Sequence, residues 1–152
     1  MAFKRKNLGR LLKSNAYPGR CFVVGKSSDG KRAMFAYFIM GRSENSRNRI
    51  FREYGDELRT EPFDESKVAD PSLIIYSPVK VVGKEVIVTN GDQTDTIEAC
   101  IKAGECFRRG LQRRTFEPDA PLYTPRISAV LHLAGKPAEF SYELSILKCA
   151  DG

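Results

Sequence analysis

Metal-binding side chains are scarce in this chain. Among 152 residues there is one histidine, His132, and the four cysteines Cys21, Cys100, Cys106 and Cys149 include no C-x-x-C pair. That argues against a zinc site. Cys100 falls on the apolar face of a predicted helix and Cys149 ends a predicted strand, so buried free thiols are the default for both. No apolar run approaches the length needed to cross a bilayer, and the basic N-terminus leads into no hydrophobic signal core. The expected location is therefore the cytoplasm, with no membrane partner, and structural disulfides are not expected in that reducing compartment.

Acidic residues are missing from the first twenty positions, which carry Lys4, Arg5, Lys6, Arg10, Lys13 and Arg20. The formal net charge of +6 is concentrated there: taking those six from the 25 basic residues leaves 19, against 19 acidic ones. The basic character belongs to one short segment, which argues against a broad nucleic-acid groove across the body.

What is present is one domain's worth of ordinary globular composition, 41% hydrophobic and 29% charged, long enough to bury a core. The densest polar stretch is Glu85 to Thr96. It opens as a strand, with Val86, Ile87 and Val88 bounded by Gly83-Lys84 and Asn90-Gly91. A single helix follows, because Ile97, Cys100, Ile101, Gly104, Phe107 and Leu111 recur at helical spacing, with Thr94 or Asp95 suited to its N-cap. Asn90, Asp92 and Gln93 lie beside the helix start. Either Thr94 and Asp95 only cap the helix while Asn90-Gly91 turns the chain, or the cluster holds a small anionic or amide-bearing ligand.

Upstream, residues 3–14 suggest a short amphipathic helix that docks the terminus onto the domain, ended by Pro18-Gly19. Arg20 to Lys26 and Lys31 to Met40 make an antiparallel hairpin around Ser27-Ser28-Asp29-Gly30. The following Gly41 to Arg49 is almost wholly polar and holds three arginines. It is either a solvated loop or a phosphate site, since guanidinium offers paired donors and keeps its charge. Ile50 to Tyr54 and Leu58 to Phe63 form another hairpin, and Asp64 to Pro71 a polar connection with room for one helical turn. Leu73 to Tyr76 and Val79 to Val82 are strands interrupted by Ser77-Pro78. Thr115 to Pro125, with Pro118, Pro121 and Pro125, is an extended loop whose only carboxylates are Glu117 and Asp119. Ile127 to Leu133 and Glu139 to Lys148 complete a mainly antiparallel α+β arrangement.

Taken together, Tyr17-Pro18-Gly19-Arg20, Gly41-Arg42-Ser43 with Asn48-Arg49, Asp70-Pro71 with Ile75-Tyr76, Thr89 to Ile97, and Thr124-Pro125-Arg126-Ile127 resemble the archaeal-type IMP cyclohydrolases and their bacterial relatives. The resemblance runs from Tyr17 onward. It implies a fold like that of the N-terminal-nucleophile hydrolases, an αββα sandwich of mainly antiparallel sheets, without self-processing. The implied reaction closes the purine ring of the 5-formamidoimidazole-4-carboxamide ribonucleotide to give IMP and water, with no metal and no organic cofactor. On this view residues 1–16 are a basic extension and 17–152 a single domain. Family members continue past the last strand, so part of the sandwich is expected to be absent, or completed in trans by a homo-oligomer.

The roles implied are Arg42, Tyr76 and Glu117 as catalytic groups: Tyr76 as proton donor or orienting hydroxyl, Glu117 as general acid or base. Arg20, Ser43, Arg49, Asn90, Asp92, Thr94, Asp95 and Arg126 are the expected substrate-binding set. Two alternatives remain: a non-catalytic purine-nucleotide or RNA-binding homologue, and an N-terminal cysteine amidohydrolase using Cys21, which a buried strand position would disfavour.

Overall fold

The computed structural model describes residues 6–150 except 69, 73, 137 and 138. In chain order the elements are α1 (Leu8–Lys13), β1 (Arg20–Lys26), β2 (Ala33–Ile39), α2 (Glu44–Arg47), β3 (Arg49–Tyr54), β4 (Glu57–Pro62), a 3-10 turn (Glu65–Lys67), β5 (Val79–Val82), β6 (Glu85–Thr89), α3 (Gln93–Lys102), α4 (Phe107–Gln112), β7 (Arg126–Leu133) and β8 (Phe140–Leu147). β1 and β2 form a two-stranded sheet, and β3 to β8 form a six-stranded sheet in sequence order. Every pairing is antiparallel. The expected α+β class with antiparallel sheets is the observed one.

Period-two alternation along β6 and β7 divides the core into two layers. Val86, Val88, Ala129 and Leu131, with Val79, face the β1–β2 hairpin and pack against its Phe22, Val24 and Tyr37. Their neighbours Ile87 and Val130 point the other way, onto Ile97, Phe107 and Leu111 of the helices. The layers are therefore hairpin, six-stranded sheet and helix pair. Burying a side chain such as Ile87 or Ile97, both fully enclosed, is worth roughly 1.5–3 kcal/mol each.

Four local expectations are corrected. The single long helix is two, because Gly104 takes φ +77 between α3 and α4. The helical spacing survives the break because both helices lay their apolar residues on one sheet face, Gly110 fitting where a Cβ would sit 3.0 Å from Ile97 Cα. The helix N-cap is Asp92, not Thr94 or Asp95. Thr94 is buried, sharing a 2.5 Å hydrogen bond with Thr89 and donating to Gly91 O. The expected strand over residues 73–76 is absent from the described part of that span. There the Tyr76 N–H is met by the Thr60 hydroxyl, and Thr60 N–H by Tyr76 O, so Thr60 replaces a regular ladder just before Pro78. Finally, α1 buries none of its residues, leaving Leu8 and Leu11 exposed rather than docked; Phe3 lies outside the described residues.

Candidate functional site

The polar stretch after β2 folds back on itself. Ser43 caps α2 in a reciprocal box with Ser46: Ser46 N–H donates to Ser43 Oγ and Ser43 N–H donates to Ser46 Oγ, the local hydrogen bonding these residue types favour. Gly41 runs so close to the end of α2 that an added Cβ would collide with Ser46. This fold-back presents Arg42, Ser43 and Arg49 to one side, where β1 supplies Arg20 and the proline-rich loop supplies Glu117, Asp119 and Thr124. Together they line a cleft of about 260 Å³, whose walls also include Tyr17, Met40, Ile74 and Leu122.

The centre of the cleft wall is an ion pair. Arg20 Nη1 and Nη2 donate to the two carboxylate oxygens of Glu117 at 2.8 and 3.0 Å, and Nη1 also donates to Asn90 O at 2.9 Å. Glu117 is only 3% exposed. Burial pushes its carboxyl above the ordinary value even though Arg20 and Arg126 pull it down, the behaviour of a desolvated acid.

The other two arginines are held by neutral groups. Arg49 donates to the carbonyls of Ser46 and Ile74 at 2.8 and 3.2 Å. Arg42 donates to the Thr124 hydroxyl at 3.2 Å, with its guanidinium 5.9 Å from the centre of the Tyr17 ring. Burial and then the neighbouring Arg20 hold the Arg49 guanidinium below its ordinary value, against an opposing pull from Tyr76. A half-buried cation in this condition is stabilised by an arriving anion. Two positive groups beside a buried carboxylate can bind phosphate or oxyanion while the carboxylate handles a proton.

Tyr76 is 8% exposed and does not line the cleft. Its hydroxyl lies 2.8 Å from that of Tyr37, and both phenols interact electrostatically with Arg20 and Arg49. The remaining expected residues form a brace behind the wall. Asn90 Oδ1 accepts from Ile127 N–H and Gln93 Nε2, while its Nδ2 donates to Pro125 O. Asp92 accepts from Arg126 at 2.6 Å and Arg114 at 2.5 Å, and Asp95 pairs with Lys80 at 2.8 Å. The polar density at the head of α3 is thus met largely by internal hydrogen bonds, and Asn90 O carries a direct hydrogen bond from the brace to the cleft, accepting from Arg20. Cys21 sits within β1 opposite Phe38, outside the cleft lining, and burial pushes its thiol up.

Asp119, Thr124, Tyr17 and Tyr37 were not among the expected site residues. Asp119 Oδ1 accepts from Thr124 N–H at 2.6 Å and Oδ2 from its hydroxyl, which in turn receives Arg42. Tyr123, at φ +42, carries the left-handed turn that sets this up, a conformation a non-glycine residue rarely adopts. Tyr17 and Thr124 stand inside the motifs quoted above, and Asp119 is one turn of loop from Glu117, so proximity to named residues was the available signal. Tyr37 carried none beyond its place on a strand rich in apolar and aromatic residues. Among the described residues, no group of histidine, cysteine, aspartate and glutamate is arranged to hold a metal ion, and no helix is long and apolar enough to cross a membrane.

The sequence also matches known proteins. A sequence profile described as IMP cyclohydrolase-like protein matches residues 17–151. The chain is 34% identical over 119 residues to the IMP cyclohydrolase of Methanococcus aeolicus, covering 76% of this chain and 58% of that protein. It is 33% identical over 118 residues to that of Methanocaldococcus jannaschii, covering 76% and 56%. For Methanopyrus kandleri the figures are 31% over 117 residues, 75% and 58%. The aligned part thus spans somewhat over half the length of these curated relatives. With the family profile matching nearly the whole chain, the protein belongs to the IMP cyclohydrolase-like family.

Proposed function

We propose that this chain binds the 5-formamidoimidazole-4-carboxamide ribonucleotide in the cleft and closes its ring to IMP and water, in the cytoplasm and without a cofactor. The observation that carries the reading is the juxtaposition of Arg42 and Arg49, both held by neutral groups, with the buried Arg20–Glu117 pair. Arg42 and Arg49, with Ser43 beside them, take the phosphate and the charge on the reacting oxygens. The hairpin, sheet and helix-pair layers support the reading of an N-terminal-nucleophile-hydrolase-like sandwich.

The chemistry needs orientation more than nucleophilic power, since both reacting arms are on adjacent ring positions. The carboxamide nitrogen bonds to the formyl carbon and gives one proton to Glu117, while Arg42 and Arg49 hold the charge on the formyl oxygen. Glu117 passes that proton to the oxygen, leaving a hydroxyl. The former formamide nitrogen then gives its proton to the Glu117 carboxylate, which hands it to the hydroxyl as the C=N bond forms and water leaves, so Glu117 returns to its starting state. The raised Glu117 carboxyl suits a group that must accept and release a proton in one cycle.

A spectroscopic assay of purine-ring formation from the formylated ribonucleotide, run beside boiled protein, is the direct test. Ring formation confined to the native sample is the expected result. If the native protein forms no purine, the assignment is wrong.

A further inference from the structure

The cyclisation scheme leaves Asp119 and Thr124 unused, although both line the cleft beside Arg42. A carboxylate is an unexpected neighbour for arginines that are to receive a phosphate, because it repels the arriving charge. Asp119 makes no direct ion pair among the described residues. Both of its oxygens are taken by Thr124, Oδ1 by the N–H at 2.6 Å and Oδ2 by the hydroxyl. The same hydroxyl receives Arg42 Nη2 at 3.2 Å.

The directions of these bonds follow from the groups themselves. A guanidinium has N–H donors and no acceptor, so the Thr124 oxygen accepts from Arg42. Its proton is left for the carboxylate of Asp119, which only accepts. A hydroxyl that donates to an anion is a better acceptor for the cation on its other side. Thr124 is buried, so water is poorly placed to stand in for either partner. The loop that carries the pair is closed by its own backbone: Leu122 N–H donates to Asp119 O, and Glu117 N–H to Thr124 O, each at 3.0 Å.

We propose that Asp119 and Thr124 are positioning residues for Arg42: the carboxylate orients the Thr124 hydroxyl, and the hydroxyl holds the guanidinium in the cleft. This rests on the cyclisation proposed above, in which Arg42 meets the phosphate and the reacting oxygens. A direct Asp119–Arg42 pair would compete with the ligand for the guanidinium. The intervening hydroxyl takes only one of its N–H groups and leaves the others for an anion. The backbone bond from Glu117 to Thr124 places the acid–base carboxylate and this hydroxyl on one loop, so the two sides of the proposed chemistry share a single support.

The test is titration of IMP into the wild type, Asp119→Asn, Thr124→Val and Thr124→Ser. Asp119→Asn gives the decisive sign. Removing a negative charge from an anion site should by itself tighten IMP, but an amide has one acceptor oxygen for the two Thr124 donors, so the relay loses a bond and IMP should bind about threefold more weakly. Thr124→Val keeps the N–H and removes only the hydroxyl, and should weaken IMP by about fivefold. Thr124→Ser, which retains the hydroxyl, should stay within about twofold of the wild type. Thr124→Val combined with Arg42→Ala should bind no more weakly than Arg42→Ala alone. Unchanged or tighter binding in Asp119→Asn overturns the proposal, as do a loss in Thr124→Ser as large as in Thr124→Val and losses that multiply in the double variant. If the wild type neither binds IMP nor forms purine, it is the functional reading that has failed, and the relay is judged without ligand. In protein carrying isotopically labelled arginine, the side-chain resonances that vanish in Arg42→Ala should move in Thr124→Val and hold their place in Thr124→Ser; unmoved resonances in Thr124→Val show that Thr124 does not hold Arg42.

Discussion

Arg20 and Glu117, 97 positions apart in the chain, meet through two parallel N–H to carboxylate hydrogen bonds in a setting that leaves Glu117 3% exposed. Such a pair is costly to bury and costly to break, because removing one partner strands the other's charge. Its net contribution to stability is therefore a weaker argument for its presence than its position in the cleft.

The consequence can be measured in Glu117→Gln. An amide offers one acceptor to a guanidinium that now has two, so stability should fall by about 3 kcal/mol and ring closure by at least about a hundredfold. Calorimetry and the purine-formation assay report the two effects separately. The pH profile of the wild type adds a sign. Burial raises the Glu117 carboxyl above its ordinary 4.5, so a rate that needs the carboxylate should be lost on acidification at a pH higher than that value.

Arg42 is exposed and Arg49 half-buried, and each is held by neutral acceptors. Arg42→Ala should therefore leave the melting temperature nearly unchanged while abolishing cyclisation and weakening nucleotide binding by about tenfold or more. Isothermal titration with IMP and the turnover assay check it; unchanged turnover would remove Arg42 from the site. Arg49→Lys keeps the charge but gives up the planar fork that spans the Ser46 and Ile74 carbonyls, so it should lose affinity as well.

The architecture was readable where strand-forming runs stood between turn residues. The β-branched run Val86 to Val88 marked the central core strand, and the turn residues Ser27 to Gly30 and Gly83-Lys84 placed two hairpins. Helical spacing misled at Gly104 because it reports which sheet face is covered, not whether the backbone is continuous. The site was partly visible for a similar reason. Arg20, Arg42, Ser43, Arg49 and Glu117 line one cleft, whereas Asn90, Asp92, Thr94 and Arg126 bond to their neighbours and the main chain behind it, and Asp95 pairs with Lys80. A run of polar residues signals that hydrogen bonds must be made. Whether a ligand or the protein itself makes them depends on partners such as Pro125 O and Arg114, which sequence order does not place.

The same brace makes a prediction in acid. Burial would raise the Asp92 carboxyl, but Arg114 and Arg126 outweigh it and hold it below the ordinary value. A depressed carboxylate contributes stability above its unfolded value of 3.8 and loses it as pH falls through the folded one. Asp92→Asn should accordingly cost about 1–3 kcal/mol at neutral pH, because Arg126 is 4% exposed and keeps only Gln93 as its side-chain partner. The difference between variant and wild type should shrink in strong acid. Urea titrations at neutral pH and near pH 2 measure both, and a gap that does not narrow would mean that the Asp92 charge is not what the brace uses.

Lys80 carries the opposite sign. Burial works against its charge, yet bonds to Asp95 and Glu98 push its amine up to about 12. Stability from this group is complete below the ordinary amine value of 10.5 and is lost as pH rises through about 12. Lys80→Met should lower the melting temperature by a few degrees at pH 8, roughly the effect of 1 kcal/mol in a domain of this size. The penalty should diminish as alkali removes the wild-type charge.

Gly91 ties the brace to the cleft. A Cβ there would lie 2.8 Å from both Arg126 Nη1 and Gln93 Oε1 and 3.3 Å from Glu117 Oε1. All three belong to buried residues, so none can swing into solvent to make room. Gly91→Ala should cost about 1–3 kcal/mol by overpacking and, unlike Asp92→Asn, should also displace the Glu117 carboxylate from Arg20. The expected result is a lowered melting temperature together with a fall in ring closure in the fraction that remains folded. If Gly91→Ala lowers stability while the folded enzyme turns over at the wild-type rate, the carboxylate is held by Arg20 alone, and the turn at the head of α3 has no influence on the chemistry.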